Sequence, residues 1–229
     1  RCIDHENVVK FYGPAIQKQS GGGAKFIFVM ELCAESLRVY VEEKQDCAPG
    51  RLLEKSRDNE ISLRLKWMKD IADGLEYLHG KEIVHRDLKP ENILVGSDRK
   101  SLKIADVGIA KNESDVTGTV IGTPLYMAPE IFSESGIYNA RADIYSFGLI
   151  LWELWYGQRV FNEVQSLKKL MIKIKEGYRP HHIEGCRPVI PLLNDLMQKC
   201  WKTDPKDRLD ALECVKELDT TLKSWNETI

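Results

Sequence analysis

A short polar segment in the middle of the chain carries side chains suited to acid–base and cation chemistry. Residues 85–92 read HRDLKPEN, which places a carboxylate, an ammonium group and an amide close together. A second acidic segment, DVG at 106–108, begins nineteen residues after Asp87. A carboxylate can orient a hydroxyl and take its proton, and carboxylate and amide oxygens are ligands that hard cations prefer. The two segments together predict a polar catalytic cleft.

The hydrophobic pattern around these segments indicates the elements that must position them. Residues 61–79 repeat apolar side chains at helical spacing, so a long amphipathic helix is predicted before the polar segment. Two brief apolar runs, 93–95 and 102–105, predict a small hairpin after it. Such a hairpin returns the chain, so that Asn92 and Asp106 face the same cleft.

The remaining pattern separates early strands from late helices. Strands are predicted at 8–12 and 25–32 around a glycine turn at 21–23, followed by a short helix at 37–44 and an exposed insertion at 47–60. Beyond Gly118 the pattern is almost wholly helical. The predicted helices cover residues 142–156, 166–176, 191–201 and 211–225.

A third segment completes an ordered set of motifs. Residues 122–130 read GTPLYMAPE. The segments at 85–92, 106–108 and 122–130 resemble the catalytic loop, the metal-binding loop and the end of the activation segment of protein kinases. Each segment alone is a weak signal, but three in this order at workable spacing are hard to obtain by chance. The resemblance runs from about His5 to Leu222.

The resemblance implies an α+β, protein-kinase-like fold, with a mainly helical C-lobe and the remnant of a β-rich N-lobe. Residues 1–32 would be the end of the N-lobe and the start of the hinge, and residues 33–229 would be the C-lobe. The implied activity is the transfer of a phosphoryl group from ATP to a protein substrate, with ATP and Mg²⁺ as cofactors.

The same resemblance assigns a role to each polar residue of the two central segments. Asp87 would orient the attacking hydroxyl and take its proton, and Lys89 would neutralise charge on the moving γ-phosphate. Asn92 and Asp106 would hold Mg²⁺, which usually takes only one or two ligands from protein.

The nucleotide base would bind at residues 29–33, VMELC, which resemble the hinge of the family. Met30 would lie at the back of the adenine pocket. The backbone at Glu31 and Cys33 would hydrogen-bond the adenine edge, and Leu94 would form the floor of the pocket.

Five further residues are assigned supporting roles by the resemblance. His85 and Arg86 precede the catalytic aspartate, and Asp143 would brace the backbone of the catalytic loop. Glu130 and Arg208 would pair as a buried ion bridge, which is structural rather than catalytic.

The activation segment supplies the candidates for regulation. In related kinases the arginine that matches Arg86 pairs with a phosphorylated residue of this segment. The candidates here are Ser114, Thr117 and Thr119, because they lie in the polar stretch between the two later motifs. Thr123 would instead contact the catalytic aspartate and lysine.

Several segments bear on the type of kinase. KPEN at 89–92 is the serine/threonine form of the catalytic loop. DIYSFG at 143–148 and LWEL at 151–154 resemble the tyrosine-kinase-like group. The segments 106–108 and 118–124 are similar to those of kinases with dual serine/threonine and tyrosine specificity.

Two departures from the family pattern leave a second interpretation open. The glycine-rich loop, the ATP-gripping lysine and its partner glutamate are absent and are expected before Arg1, so the chain alone should bind ATP poorly and transfer phosphate slowly. Val107 stands where the family usually has phenylalanine. The alternative is a pseudokinase-like scaffold that binds partners without transfer, but the intact catalytic side chains favour the enzyme.

The composition of the chain excludes several classes of protein. The 229 residues are 43% hydrophobic and 30% charged, with a net charge of −2, which excludes a fibrous or disordered chain. The near-neutral charge argues against nucleic-acid binding. The longest apolar stretches fall far short of the ~18 residues that a membrane span needs. Six scattered cysteines without C-x-x-C spacing predict reduced thiols in a cytoplasmic protein.

Overall fold

Strands come early in the chain and helices dominate its second half. The computed structural model describes residues 3–18, 23–43, 58–107, 124–132 and 139–228. The strands in these residues are β1 Phe11–Lys18, β2 Ala24–Met30, β3 Glu35–Ser36, β4 Ile93–Val95 and β5 Leu102–Ile104. The helices are α1 Leu37–Glu43, α2 Asp58–Gly80, α3 Ala140–Tyr156, α4 Leu167–Lys175, α5 Pro191–Cys200 and α6 Ala211–Asn226.

Helix α3 forms the centre of the helical part. All its residues from 142 to 156 are buried, which agrees with a sequence that is apolar on most faces. The Asn139 side chain caps its first turn by accepting from the Arg141 amide. Gly157 ends it with a left-handed φ of 67°, a conformation that glycine adopts without strain. Its neighbours α2 and α5 pack against it, and α6 packs along α2.

A buried arginine joins the two longest helices. The Arg64 side chain on α2 is fully buried, and its Nη1 donates to the Leu154 carbonyl of α3 at 2.9 Å. Its Nε donates to Glu60 one turn earlier in α2, also at 2.9 Å. Because a buried cation is costly unless it is paired, these two bonds make the α2–α3 contact specific as well as apolar.

The hairpin predicted after the polar segment is present as β4 and β5, and β3 adds a third antiparallel strand beside β4. The predicted first strand at 8–12 is wrong in its bounds. Val8 bridges to Ile104 and the Val9 amide donates to the Ile104 carbonyl at 2.9 Å, so this stretch lies on the β5 edge. Strand β1 begins only at Phe11 and pairs with β2.

The large apolar side chains of the β1–β2 hairpin are exposed. Phe26 is 69% exposed, and the other residues of β2 are exposed on both faces of the strand. A strand that is apolar on both faces is typical of a sheet that is covered on both sides. Only Gly23 of the predicted glycine turn is among the described residues.

The helix predictions are confirmed, with small changes at the ends. The insertion predicted at 47–60 is wrong at its C-terminal end, because residues 58–60 already belong to α2. The part at 47–57 lies outside the described residues. None of the helices in the described ranges is long and apolar enough to cross a membrane.

The close approach of α3 and α5 at Gly148 can be tested by substitution. A Cβ added at Gly148 would lie 2.9 Å from the Cβ of buried Cys200, which is too close for packed carbon atoms. We expect Gly148→Ala to lower the free energy of unfolding by about 1–3 kcal/mol, measured by urea denaturation. In Gly80→Ala, the matched control, the new Cβ has no atom within 4 Å. Its change should stay within about 0.5 kcal/mol. Equal stability of the two variants would contradict the tight helix contact.

Candidate active site

The catalytic-loop segment is held by a buried carboxylate on α3. Asp143 is 1% exposed, and its two oxygens accept from the backbone amides of His85 and Arg86 at 2.8 and 3.0 Å. The His79 Nε2, at the end of α2, also lies 2.9 Å from the Asp143 carboxylate. Because a carboxylate only accepts, that nitrogen of His79 carries the proton. Arg86 has a left-handed φ of 69°, a strained conformation that these bonds hold in place.

Three polar side chains converge directly after this anchor. The Lys89 ammonium donates to Asp87 Oδ2 at 2.9 Å. The Asn92 Nδ2 donates to the Asp87 backbone carbonyl at 2.8 Å and to its Oδ2 at 3.1 Å. The Asp87 carboxylate is thereby fixed by a cation and an amide, while it keeps part of its surface exposed. A fixed and accessible carboxylate is suited to take a proton from a bound hydroxyl.

The hairpin brings Asp106 next to this group. The Ala105 amide donates to the Asn92 carbonyl at 2.8 Å, and the Ala105 carbonyl accepts from His85 Nε2 at 2.7 Å. The same imidazole accepts the Asp87 amide at Nδ1, at 3.3 Å, so its tautomer is set by both bonds. Asp106 follows with an exposed side chain and a left-handed φ of 56°.

The donor set fits a magnesium ion better than a transition metal. Because Asn92 uses its Nδ2 as a donor to Asp87, its Oδ1 is the atom that remains for a cation. Together with the exposed Asp106 carboxylate this makes two hard oxygen ligands, a number that suits Mg²⁺ bound with nucleotide phosphates. In the described part of the chain, no group of three or more His, Cys, Asp or Glu side chains could hold a metal.

The predicted hinge lies beside the hairpin. The Glu31 amide donates to the Lys10 carbonyl at 2.8 Å, so Glu31 can offer a nucleotide base its carbonyl but not its N–H. Met30 is 45% exposed, and Leu94, paired with Ser36, is half-buried.

Cys33 of the predicted hinge is a free thiol two residues after Glu31 in sequence. Burial raises the pKa of the Cys33 thiol, and the Glu31 carboxylate raises it further. A raised pKa keeps the thiol protonated near neutral pH, and the thiolate is the nucleophilic form.

Glu130 and Arg208 form a two-pronged ion pair away from the catalytic loop. Both guanidinium Nη atoms donate to the Glu130 carboxylate at 2.7 Å, and the Arg208 side chain is fully buried. Arg208 also donates to three backbone carbonyls, so its remaining donors are satisfied. Its guanidinium lies 5.1 Å from the ring centre of Tyr145. The pair joins the segment after the activation region to the start of α6.

The predicted activation-segment residues Ser114, Thr117, Thr119 and Thr123 lie outside the described residues. Their roles stay predictions.

Sequence reasoning missed a second set of charged residues near the site. One is His79, which binds Asp143. The others contact one another below the surface: Arg38 of α1, Tyr126 of the turn Pro124–Tyr126, and Glu153 of α3. The signal that could have revealed them is Glu153, a charge inside a run that is otherwise apolar. A charge in such a run requires a buried partner.

Comparison with known proteins agrees with this fold and geometry. The protein kinase domain family matches residues 1–218, and the chain belongs to that family. The predicted fold class, α+β with a mainly helical second part, is thus confirmed.

Individual relatives carry a more specific name. Proteins called dual serine/threonine and tyrosine protein kinase in Pimephales promelas and Xenopus laevis are each 31% identical over 214 residues, and the Bos taurus protein of that name is 30% identical. In each case the match covers 89% of this chain. The chain spans about a fifth of the length of these relatives (20–21%).

Removal of the Asp143 carboxylate should loosen the catalytic loop. We expect Asp143→Ala to lower the free energy of unfolding by about 2–5 kcal/mol, because two backbone amides and a histidine lose their acceptor. Hydrogen exchange at the His85 and Arg86 amides should accelerate more than exchange in the core of α3. Asp73→Ala, which removes only a partly exposed pair with Lys69 on α2, should cost less than about 1 kcal/mol. Wild-type protection of both loop amides in Asp143→Ala would contradict the anchor.

Proposed function

We propose that this chain is the catalytic region of a protein kinase that transfers the γ-phosphate of ATP to hydroxyl groups of a protein substrate. The observation that carries the proposal is the convergence of Lys89 and Asn92 on the Asp87 carboxylate, directly after two backbone amides that Asp143 binds. In the proposed assignment, residues 1–32 belong to the N-lobe and hinge, and residues 33–229 form the C-lobe.

The proposed reaction uses the chain's own residues in three ways. The acceptor oxygen attacks the γ-phosphorus, the bond from that phosphorus to the β–γ bridging oxygen breaks, and ADP leaves. The Asp87 carboxylate receives the hydroxyl proton. Lys89, already within 2.9 Å of Asp87, offers its ammonium to the transferring phosphoryl group. Asn92 keeps the Asp87 carboxylate oriented during this step.

Cofactor binding is assigned to the hinge and the hairpin. The backbone of Glu31 and Cys33 would bind the adenine edge, Met30 and Leu94 would line the base, and the Oδ1 of Asn92 with the Asp106 carboxylate would hold Mg²⁺. When bound, Mg²⁺ neutralises charge on the nucleotide phosphates. The fit of two hard oxygen donors to Mg²⁺ supports this assignment.

Substrate class follows from the catalytic loop and the relatives. Lys89 is typical of serine/threonine kinases, and the similar proteins are named for both serine/threonine and tyrosine. We therefore propose serine and threonine hydroxyls as acceptors and include tyrosine as a second acceptor. The described cysteines are free thiols, which supports the predicted cytoplasmic location.

Two substitutions separate the roles of the two catalytic aspartates in the full-length protein. Asp87→Asn should lower phosphoryl transfer by ~10²–10⁴-fold, because asparagine keeps the shape but loses the proton acceptor. Asp106→Ala should weaken magnesium-dependent ATP binding more than Asp87→Asn does, because its carboxylate is assigned to the metal. Transfer is measured with radiolabelled ATP and binding by calorimetry.

Asp219→Asn, at an exposed position of α6, is the control and should change neither quantity. Near wild-type transfer by Asp87→Asn would contradict the role of Asp87, and equal magnesium–ATP affinities would contradict the division between the two aspartates. Absence of transfer by the wild-type protein would favour a partner-binding scaffold instead.

Phosphorylation of the activation segment is proposed to act through Arg86. The Arg86 residue is exposed and directly precedes Asp87. A phosphate brings a charge of ~−1.5 to −2 and three strong acceptor oxygens, enough to order a loop against a guanidinium. Replacing Thr117 and Thr119 together by alanine should lower the activity of the full-length enzyme, and Arg86→Ala should remove any gain from phosphorylation.

Activity is measured after incubation with ATP, with the modified residues identified by mass spectrometry. Thr220→Ala, at an exposed position of α6, is the control and should have no effect. The regulatory hypothesis fails if the double alanine variant keeps the full activity of the phosphorylated wild-type protein.

A further inference from the structure

Four ionisable side chains from separate parts of the chain meet beside the catalytic loop. They are Arg38 of α1, Glu91 of the loop, Tyr126 of the short turn Pro124–Tyr126, and Glu153 of α3. The Arg38 side chain is 7% exposed and that of Glu153 is 1% exposed, whereas Glu91 keeps about 41% of its surface in solvent. We call this group the Arg38 cluster. It joins the buried centre of the molecule to the edge of the candidate active site.

Each of the three nitrogens of the Arg38 guanidinium faces a different partner. The Nε donates to Glu91 Oε1 at 2.9 Å, and Nη1 lies 3.0 Å from Glu153 Oε2. The Nη2 donates to the Tyr126 hydroxyl. That hydroxyl donates in turn to Glu153 Oε1 at 2.6 Å. One planar cation therefore donates hydrogen bonds to Glu91 and Tyr126 and makes an ion contact with Glu153.

Burial makes these contacts depend on one another. Burial alone lowers the pKa of the Arg38 guanidinium, but Glu153, Tyr126 and Glu91 together raise it above its ordinary value. Burial raises the pKa of Glu153, which the Arg38 charge and the Tyr126 hydrogen bond oppose. Hydrogen bonds in a low-dielectric interior strengthen one another, and an unpaired member is strongly unfavourable.

The cluster reaches the part of the site where a protein acceptor would bind. Glu91 lies between Lys89 and Asn92 in the short turn Pro90–Asn92. Tyr126 follows the activation segment, and its backbone carbonyl accepts from the Ser146 hydroxyl of α3 at 2.7 Å. Both segments that flank the acceptor position are thus attached to α3 through polar contacts. The described partners of the cluster do not include the hinge residues 31–33.

We propose that Arg38 is a positioning residue for the protein acceptor, which rests on the proposed kinase activity. It keeps the turn that carries Glu91 and the segment that carries Tyr126 in register with α3, so that the acceptor hydroxyl meets Asp87. Orientation of two reacting groups contributes strongly to rate, and small displacements reduce it. The adenine base is assigned to the hinge residues 31–33, which are not among the described partners of the cluster, so we expect this register to affect the acceptor more than ATP.

Lysine substitution provides a matched pair of variants in the full-length protein. Arg38→Lys keeps a cation opposite Glu153 but cannot serve three acceptors at once, because an ammonium is a point charge without the planar fork. Arg159→Lys is the control: Arg159 also pairs with a glutamate of α1, Glu42 at 2.6 Å, but both side chains are about half exposed. Three quantities are measured for both variants: the KM for dephosphorylated casein, the KM for ATP, and the rate of ATP hydrolysis without an acceptor.

For Arg38→Lys we expect the KM for casein to rise ~10-fold, while the KM for ATP and acceptor-free hydrolysis stay within about twofold. Arg159→Lys should leave all three unchanged. Tyr126→Phe retains the ring but loses the hydroxyl between Arg38 and Glu153, and should give the same split between casein and ATP. If Arg38→Lys does not fold, as judged by thermal unfolding, Tyr126→Phe tests the positioning role in its place.

A wild-type KM for casein in the folded variants overturns the positioning role and leaves the kinase proposal intact. Equal loss of casein phosphorylation and of acceptor-free hydrolysis also overturns it, because a general structural defect affects both. A wild-type protein that transfers no phosphate to casein or to its own residues overturns the kinase proposal and the positioning role with it.

Discussion

The carboxylate of Asp143 accepts from two consecutive backbone amides of the catalytic loop, and the candidate active site depends on that contact. The loop has no regular secondary structure of its own at 85–87, and Arg86 is held at a left-handed φ. Such a backbone persists only where its surroundings over-determine it. A carboxylate that is almost fully buried in the most buried helix can do so, because its two oxygens are immobile and strongly attract N–H donors.

Buried charged side chains also hold other irregular segments of the helical part. Glu130 is held by Arg208, and Glu153 is held by Arg38 and Tyr126, in each case with a buried charge on one side. Apolar packing of α3 against its neighbours supplies stability but is not directional. The irregular segments also bury side chains such as His85 and Leu88, but their backbone lacks a regular hydrogen-bond pattern, so hydrogen bonds to charged groups fix its position. The helical core is therefore the support on which short loops are fixed by charge.

This division explains what could be predicted from the sequence. Asp87, Lys89 and Asn92 of the candidate active site lie within the eight residues HRDLKPEN, and the helices follow from apolar periodicity, so both were recognisable. The contacts that hold them span much longer separations: 58 residues for Asp143 to His85, and 53 for Arg38 to Glu91. Local pattern contains no information on such pairs. Asp143 was identified only because the family resemblance includes it, whereas Arg38 lies in a short helix without any motif.

The predicted bounds of the first strand were wrong for a related reason. Val8 and Val9 have the side chains of a strand, but their backbone pairs with Ile104 across almost a hundred residues, and β1 begins after them. The β-strand propensity of a residue indicates that it suits an extended backbone, but it does not indicate which strand the residue will pair with. The consequence reaches the site, because β5 ends at Ile104, directly before Ala105, whose amide and carbonyl both bind the segment at 85–92. The segment at 7–9 therefore pairs with the strand that leads into Ala105 and Asp106.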